Sequence, residues 1–381
     1  MVRSDEAGTR PPGPRRPDGQ EADLTGLLRR SLTPLQGPRA HVAALGVRDE
    51  FAARDRDSQP HDDPEPVPVH IYGHHAVIGP VPGRVDAATA CPRCLARRWQ
   101  AVRSVSLRDA LEIGGDTHAA GEWPYMTAFA MDAVAALVTA ARKRSVSSTF
   151  PEVHLLDLRA LTVRHYPLVP DPQCPRCGTP GADTEDGARI ELRPAPEHKP
   201  GAFRVRSLEA YDVDVAAFAN PVCGALGPSV VHDVSSTSTS ATIGCFSMRS
   251  GEYLRETFWG GHADSFGASA RIGVLEGLER FAGMRARAKT TQVTGSLAEF
   301  GDAAVDPRQV GLYAEDFYRD NPRVVPFTPD REIPWVWGYS LRDEQPRLVP
   351  EVLTYYHAPG LENRFVQESS NGCASGGALE E

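Results

Sequence analysis

Two groups of residues in the 381-residue chain have the types and spacing that chemistry needs. Cys91-Pro92-Arg93-Cys94 and Cys174-Pro175-Arg176-Cys177 are identical runs. A Cys-x-x-Cys turn directs two sulfurs to one side, and two such turns supply the four thiolates that tetrahedral zinc prefers. Proline after the first cysteine stiffens each turn, and the arginines can offset the anionic charge of a tetrathiolate. Four sulfur ligands leave no position for water, so the pattern predicts a structural Zn2+ rather than a catalytic one. The metal would clasp two distant stretches of one domain. One run alone would read equally as a redox dithiol; two unrelated turns are the plain alternative.

The second group is Glu276 and Glu279, on a helix predicted over Ser269–Ala288. At about 100° per residue they fall close together on one face, with Ile272, Leu275, Gly283 and Ala286. Val274, Leu278 and Phe281 make the other side apolar too. Two carboxylates on such a helix are costly unless something cationic meets them. Mg2+ bound to phosphates does so, and the preceding Gly260-Gly261 would let backbone approach a phosphate. The plain alternative is a surface Glu-x-x-Glu paired with Arg280 and Arg287. Cys223 and Cys245 read as core thiols. His70, His74 and His75 read as a histidine-rich strand edge, with a second metal site as the alternative.

The elements that must position these groups are readable only coarsely. Composition is 41% hydrophobic and 24% charged, ordinary for a globular chain of two or three domains. A net charge of −9 argues against a nucleic-acid binder, whose affinity rests on neutralising phosphates. The first twenty residues lack an apolar signal region, and the apolar run Thr127–Ala141, interrupted by Asp132, is too short to span a bilayer. A cytoplasmic protein that binds no membrane is expected, in which cysteines serve as ligands or buried thiols. Residues 1–22 read as a disordered Pro/Gly/Arg tail and Arg54–Pro66 as a linker. Helices are predicted at Leu24–Leu32, Leu95–Val105 and 123–143, the last with Pro124 at its start. Strands are predicted at His41–Leu45, Val67–Tyr72, Ala76–Ile78, Val153–Leu158, Leu161–His165, Val230–Val234, Ala241–Phe246, Trp335–Ser340 and Leu348–Tyr355. The Gly/Pro-rich, acidic stretch Thr179–Pro200 marks a boundary. The fold class is α/β or α+β.

Several runs resemble known families. Trp-Gly-Gly-His-Ala from Trp259, Leu-Glu-Gly-Leu-Glu-Arg-Phe-Ala-Gly from Leu275, Pro-Trp-Val-Trp-Gly-Tyr-Ser-Leu from Pro334, Leu-Val-Pro-Glu from Leu348 and Glu-Ser-Ser-Asn-Gly-Cys-Ala-Ser-Gly-Gly from Glu368 resemble YcaO-type cyclodehydratases. Gly-Pro-Val-Pro-Gly from Gly79, the two knuckles and Pro-Tyr-Met-Thr-Ala-Phe-Ala from Pro124 look like the zinc-bearing part of a ThiF-like partner domain. Such domains are fused to YcaO domains in the biosynthesis of thiazole- and oxazole-containing peptides, thiopeptides among them. The resemblance implies a disordered tail (1–22), a degenerate ThiF-like zinc-binding domain (23–185) and the amino-terminal part of a YcaO-type ATP-binding domain (186–381). It implies ATP-dependent cyclodehydration of Cys, Ser or Thr in a ribosomal precursor peptide to thiazoline or oxazoline, with Mg2+ and ATP held by Glu276, Glu279, Arg280 and Glu381. A peptide-presenting scaffold subunit and thioamide formation are the alternatives. Implied partners are the precursor peptide, a leader-peptide-binding protein, a chain supplying the rest of the YcaO domain, and a flavin-dependent azoline dehydrogenase. Three departures stand out: the chain stops at Glu381 before a further Glu-x-x-Glu-Arg helix, His262 replaces a common lysine, and no Gly-x-Gly-x-x-Gly loop is present.

Overall fold

The computed structural model describes residues 41–44, 67–80, 90–112, 126–143, 150–193, 204–250, 253–284, 289, 293–358 and 360–380. The chain divides into two compact units: Met1–Cys177 with Asn220–Pro228, and Gly178–Ala219 with Ser229–Glu381. The stretch around the expected 185/186 boundary therefore belongs to the second unit. The fold is mixed α and β with mainly antiparallel sheets. Among the described residues, no helix is long and apolar enough to cross a membrane.

The first unit is a five-stranded sheet in the order β1 (His41–Ala44), β2 (Pro68–Tyr72), β3 (His75–Ile78), β4 (Glu152–Asp157) and β5 (Val163–Pro167). β1 and β2 are parallel and the other pairs antiparallel. Side chains alternate between the faces of a strand, and this sheet is apolar on both. Val69, Ile71, Ala76, Ile78 and Leu156 pack with one face of a helix that carries Ala130, Val134, Val138 and Ala141. Val77 and Val153 point the other way, into a core that contains Trp99 and the four knuckle cysteines.

Helix α1 (Pro92–Ala101) begins earlier than the expected Leu95 because Cys91 is its N-cap and Pro92 its first residue, where a missing N–H costs nothing. It ends at Val102, and a second helix, α2 (Val105–Glu112), follows. Arg103 lies over the Trp99 ring at 4.6 Å and donates to the Trp99 carbonyl at 3.0 Å. Helix α3 (Ala128–Lys143) is opened by Thr127, whose Oγ1 accepts from Ala130 N at 3.1 Å. Pro124, the Leu24–Leu32 helix, the 1–22 tail and the 54–66 linker lie outside the described residues.

The second unit holds two three-stranded antiparallel sheets. One runs β6 (Val230–His232), β7 (Thr242–Ser250), β8 (Tyr253–Gly261); the other is β9 (Val293–Gly295), β10 (Ile333–Ser340) and β11 (Gln345–Pro350), with β10 central. β8 is absent from the sequence-based expectations, which took its Gly-Gly end only as a place where backbone could approach a phosphate. The expected Leu348–Tyr355 strand stops at Pro350 and turns into a single helical turn, Glu351–Thr354. Helix α4 (Phe266–Gly283), capped by Ser265 accepting from Ala268 N, packs along β8 and β7. Its buried stripe is Ser269, Ala270, Gly273, Val274 and Gly277, and the small residues leave room for the Trp259 indole. A Cβ on Gly273 would stand 3.0 Å from that ring, and one on Gly261 would stand 1.9 Å from the Ser269 carbonyl oxygen.

Candidate functional site

The structure brings together Cys91, Cys94, Cys174 and Cys177 within the first unit. All four are buried, and their sulfurs lie within 4.8 Å of one another. Among the described residues they are the one group of three or more His, Cys, Asp or Glu side chains so gathered. The measured separations are 3.9 Å for Cys91–Cys94, 3.5 Å for Cys91–Cys174 and 3.3 Å for Cys94–Cys177. A zinc tetrahedron with ~2.3 Å bonds has sulfurs about 3.8 Å apart, so the donor set and spacing fit a closed four-thiolate site. Thiols this close cannot all ionise by themselves. Hydrogen bonding to Cys174 and Cys94, with burial, raises Cys91; the Cys91 and Cys94 thiols lower Cys174; burial and Cys94 push Cys177 up to about 12.

Arginines one turn past the first knuckle fasten the second. Arg98 is buried and donates to the Pro170 carbonyl at 2.9 Å, and Arg97 Nε meets Asp171 Oδ2 at 2.6 Å. Asp171 N in turn donates to Cys94 Sγ at 3.4 Å. Burial alone would raise the Asp171 carboxyl, but Arg98 and Arg97 hold it below its ordinary value. The sequence reading looked for charge balance only in Arg93 and Arg176 and missed this brace. The Arg97-Arg98 pair follows the knuckle on the same helix, but the partner of Arg97 stands 74 residues further along the chain.

Within the second unit, Glu276, Glu279 and Arg280 lie together beside β8. Gly260 N donates to Glu276 Oε2 at 2.8 Å, and Arg280 Nη2 donates to Glu276 Oε1 at 3.0 Å. Glu279 Oε2 stands 3.7 Å from Arg280 Nε, beyond hydrogen-bond reach. Glu279 Oε1 and Arg280 Nε are both buried without a hydrogen bond among the described residues. One is an acceptor and the other a donor. The expected pairing with Arg280 is thus present for Glu276 and incomplete for Glu279; Arg287 and Glu381 lie outside the described residues.

Three further residues border this group. Tyr356 donates its hydroxyl to the Arg280 carbonyl at 2.9 Å. Burial and the Glu279 charge raise the phenol, and the same two causes raise the Cys373 thiol. Ser375 Oγ donates to the Leu275 carbonyl at 3.4 Å, holding the 373–375 turn against the helix. Sequence reasoning assigned no role to Cys373 or Tyr356. The Gly260-Gly261 pair serves close packing: Gly261 admits the α4 backbone, and Gly260 N is already engaged by Glu276.

Residues 260–381 match the family model of YcaO cyclodehydratase, ATP- and Mg2+-binding. The YcaO match begins at the glycine that holds Glu276 and takes in all of α4, β10 and β11. No curated protein matches the chain. Among solved structures, a heterocyclase in complex with substrate and cofactor aligns with TM-score 0.69 and 23% identity, over 94% of this chain and 52% of its own. The heterocyclase TruD aligns with TM-score 0.59 and 19% identity, over 95% of this chain and 50% of its own. The chain therefore has a heterocyclase-like fold and spans about half the length of these heterocyclases.

Proposed function

We propose that the chain serves ATP-dependent cyclodehydration of Cys, Ser or Thr in a ribosomal precursor peptide. The observation that carries this reading is the pair of buried, unsatisfied atoms of opposite sense, Glu279 Oε1 and Arg280 Nε, inside the YcaO match. A buried acceptor and donor left open side by side cost a few kcal/mol unless a ligand meets them (about 1–3 each). A metal-bound phosphate does both at once: the cation suits the carboxylate oxygen and a phosphate oxygen suits the guanidinium N–H. Glu276 and Glu279 would hold Mg2+, Arg280 a phosphate, and Glu381 a later part of the nucleotide site. Bound Mg2+ supplies charge neutralisation as the phosphoryl group moves.

In the proposed reaction the peptide thiol or hydroxyl adds to the preceding amide carbonyl. The former amide oxygen takes the γ-phosphoryl of ATP, and its departure as phosphate, with loss of the amide proton, leaves the azoline and ADP. Phosphorylation turns a poor leaving group into a good one. The four-cysteine centre, read as structural Zn2+, would fasten a degenerate ThiF-like domain that docks the precursor or its partners, among them a leader-peptide-binding protein and a flavin-dependent azoline dehydrogenase.

The chain spans half the length of the aligned heterocyclases, and the complete activity is proposed for these residues together with the rest of a YcaO domain, on the same polypeptide or on a second one. In that assembly the chain is either the ATP-binding half or a peptide-presenting subunit. Incubation with a Cys-rich precursor and ATP tests this. With the rest of the YcaO domain present, phosphate release should accompany the loss of one water per ring. Sulfur incorporation in place of water loss would point to thioamide formation, and no change in the peptide with the whole domain present would overturn the reading.

A further inference from the structure

Both oxygens of Glu276 are already engaged. Oε2 accepts from Gly260 N at 2.8 Å and Oε1 from Arg280 Nη2 at 3.0 Å. Glu279 differs: its side chain is 11% exposed, its Oε1 takes no hydrogen bond among the described residues, and its Oε2 is 3.7 Å from the guanidinium. A divalent cation arriving alone would therefore find the Glu279 carboxylate open but both Glu276 oxygens taken and, beside them, a positive charge that repels it.

We propose that Arg280 couples metal binding to nucleotide binding by occupying the Glu276 oxygen that the metal needs. This rests on the ATP and Mg2+ reading of the site. A phosphate oxygen is the group that can draw the guanidinium off Glu276, since it offers a stronger, more highly charged acceptor for the same fork of N–H groups. Release of Arg280 opens Glu276 Oε1 beside Glu279 Oε1 and moves the positive charge onto the phosphate. Metal and nucleotide then bind with positive coupling, each raising the affinity of the other by the same factor. The movement is confined to the side chain, because Tyr356 holds the Arg280 carbonyl and packs its ring against Gly283, where a Cβ would stand 2.6 Å from the ring.

The test is a Mn2+ titration of the full chain followed by the electron paramagnetic resonance of free Mn2+, run without nucleotide and with a non-hydrolysable ATP analogue. Arg280→Gln should bind Mn2+ alone roughly tenfold more tightly than the native chain, by removal of one adjacent positive charge, and should lose most of the enhancement by the analogue. Arg280→Lys keeps the charge and should stay near the native value without nucleotide. Glu279→Gln should lose Mn2+ binding in every background. Equal or weaker Mn2+ binding by Arg280→Gln in a variant with native circular dichroism overturns the proposal, as does equal tightening by Arg280→Lys. An analogue without effect on the native chain, combined with tightening in Arg280→Gln, would leave the clamp standing and count against the ATP reading instead.

Discussion

Cys94 Sγ and Cys177 Sγ lie 3.3 Å apart although 83 residues separate them. The contact closes the first unit around its second apolar core, which contains Trp99, Leu95 and Leu168 as well as the cysteines. Chain closure over so long a loop is unfavourable by itself, and a cation that fixes four thiolates offsets it.

Purified under reducing conditions, the chain should therefore carry one zinc per molecule by plasma mass spectrometry. Cys174→Ser should release it and lower the melting temperature of the first unit by about 10 °C or more, since structural zinc contributes of order 10 kcal/mol to such sites. Retention of full zinc content and native stability would remove the clasp. Binding should also weaken on acidification, because Cys91 is raised and Cys177 sits at about 12 in the thiol cluster. These protons must leave as the metal enters, so the proton release accompanying zinc uptake is directly measurable by titration in two buffers.

Asp171 should contribute stability with a defined pH window. Burial opposes its charge, but Arg98 and Arg97 bring the carboxyl below its ordinary value. A depressed carboxyl stabilises the fold above the unfolded value of about 4 and loses that contribution as pH falls through the folded value. Asp171→Asn should cost about 1–2 kcal/mol at pH 7 in urea melts, and the difference from the native chain should shrink as pH falls through the depressed folded value.

Gly261 and Gly267 give a matched pair within one stretch of chain. A Cβ at 261 would meet the Ser269 carbonyl oxygen at 1.9 Å and Gly273 N at 2.8 Å, both backbone atoms that cannot swing aside. Gly261→Ala should destabilise the second unit by about 3 kcal/mol or more. Nothing lies within 4 Å of a Cβ at 267 in the first turn of α4. Gly267→Ala should be neutral or stabilise by up to about 1 kcal/mol. Thermal melts of the two variants decide both.

Local chemistry was legible where residue type and spacing act over one turn. The knuckles announce a four-sulfur centre, the run from Ser269 announces the body of α4 but not its Ser265 cap, and the apolar residues of Val67–Tyr72 and Val153–Leu158 mark β2 and β4. Long-range relationships were not. Nothing near Arg97 in the sequence says that it will brace Asp171, and Gly260-Gly261 gives no sign of a strand until α4 is seen packed against β8 and its Trp259. The Glu276–Glu279 spacing was right about a shared face, whereas the apolar stripe expected to accompany it gives way to small residues, because the bulk on that side comes from Trp259. Periodicity reports which residues turn inward; it does not report how large a neighbour they meet.

The central claim is that Glu279 and Arg280 form the place where a metal-bound nucleotide phosphate is held. Isothermal titration of the chain with a non-hydrolysable ATP analogue in the presence of Mg2+ tests it most directly. The account predicts one site whose affinity falls at least about tenfold in Glu279→Gln, equivalent to about 1.4 kcal/mol, with unchanged circular dichroism. Equal affinity in the native chain and the variant would contradict it.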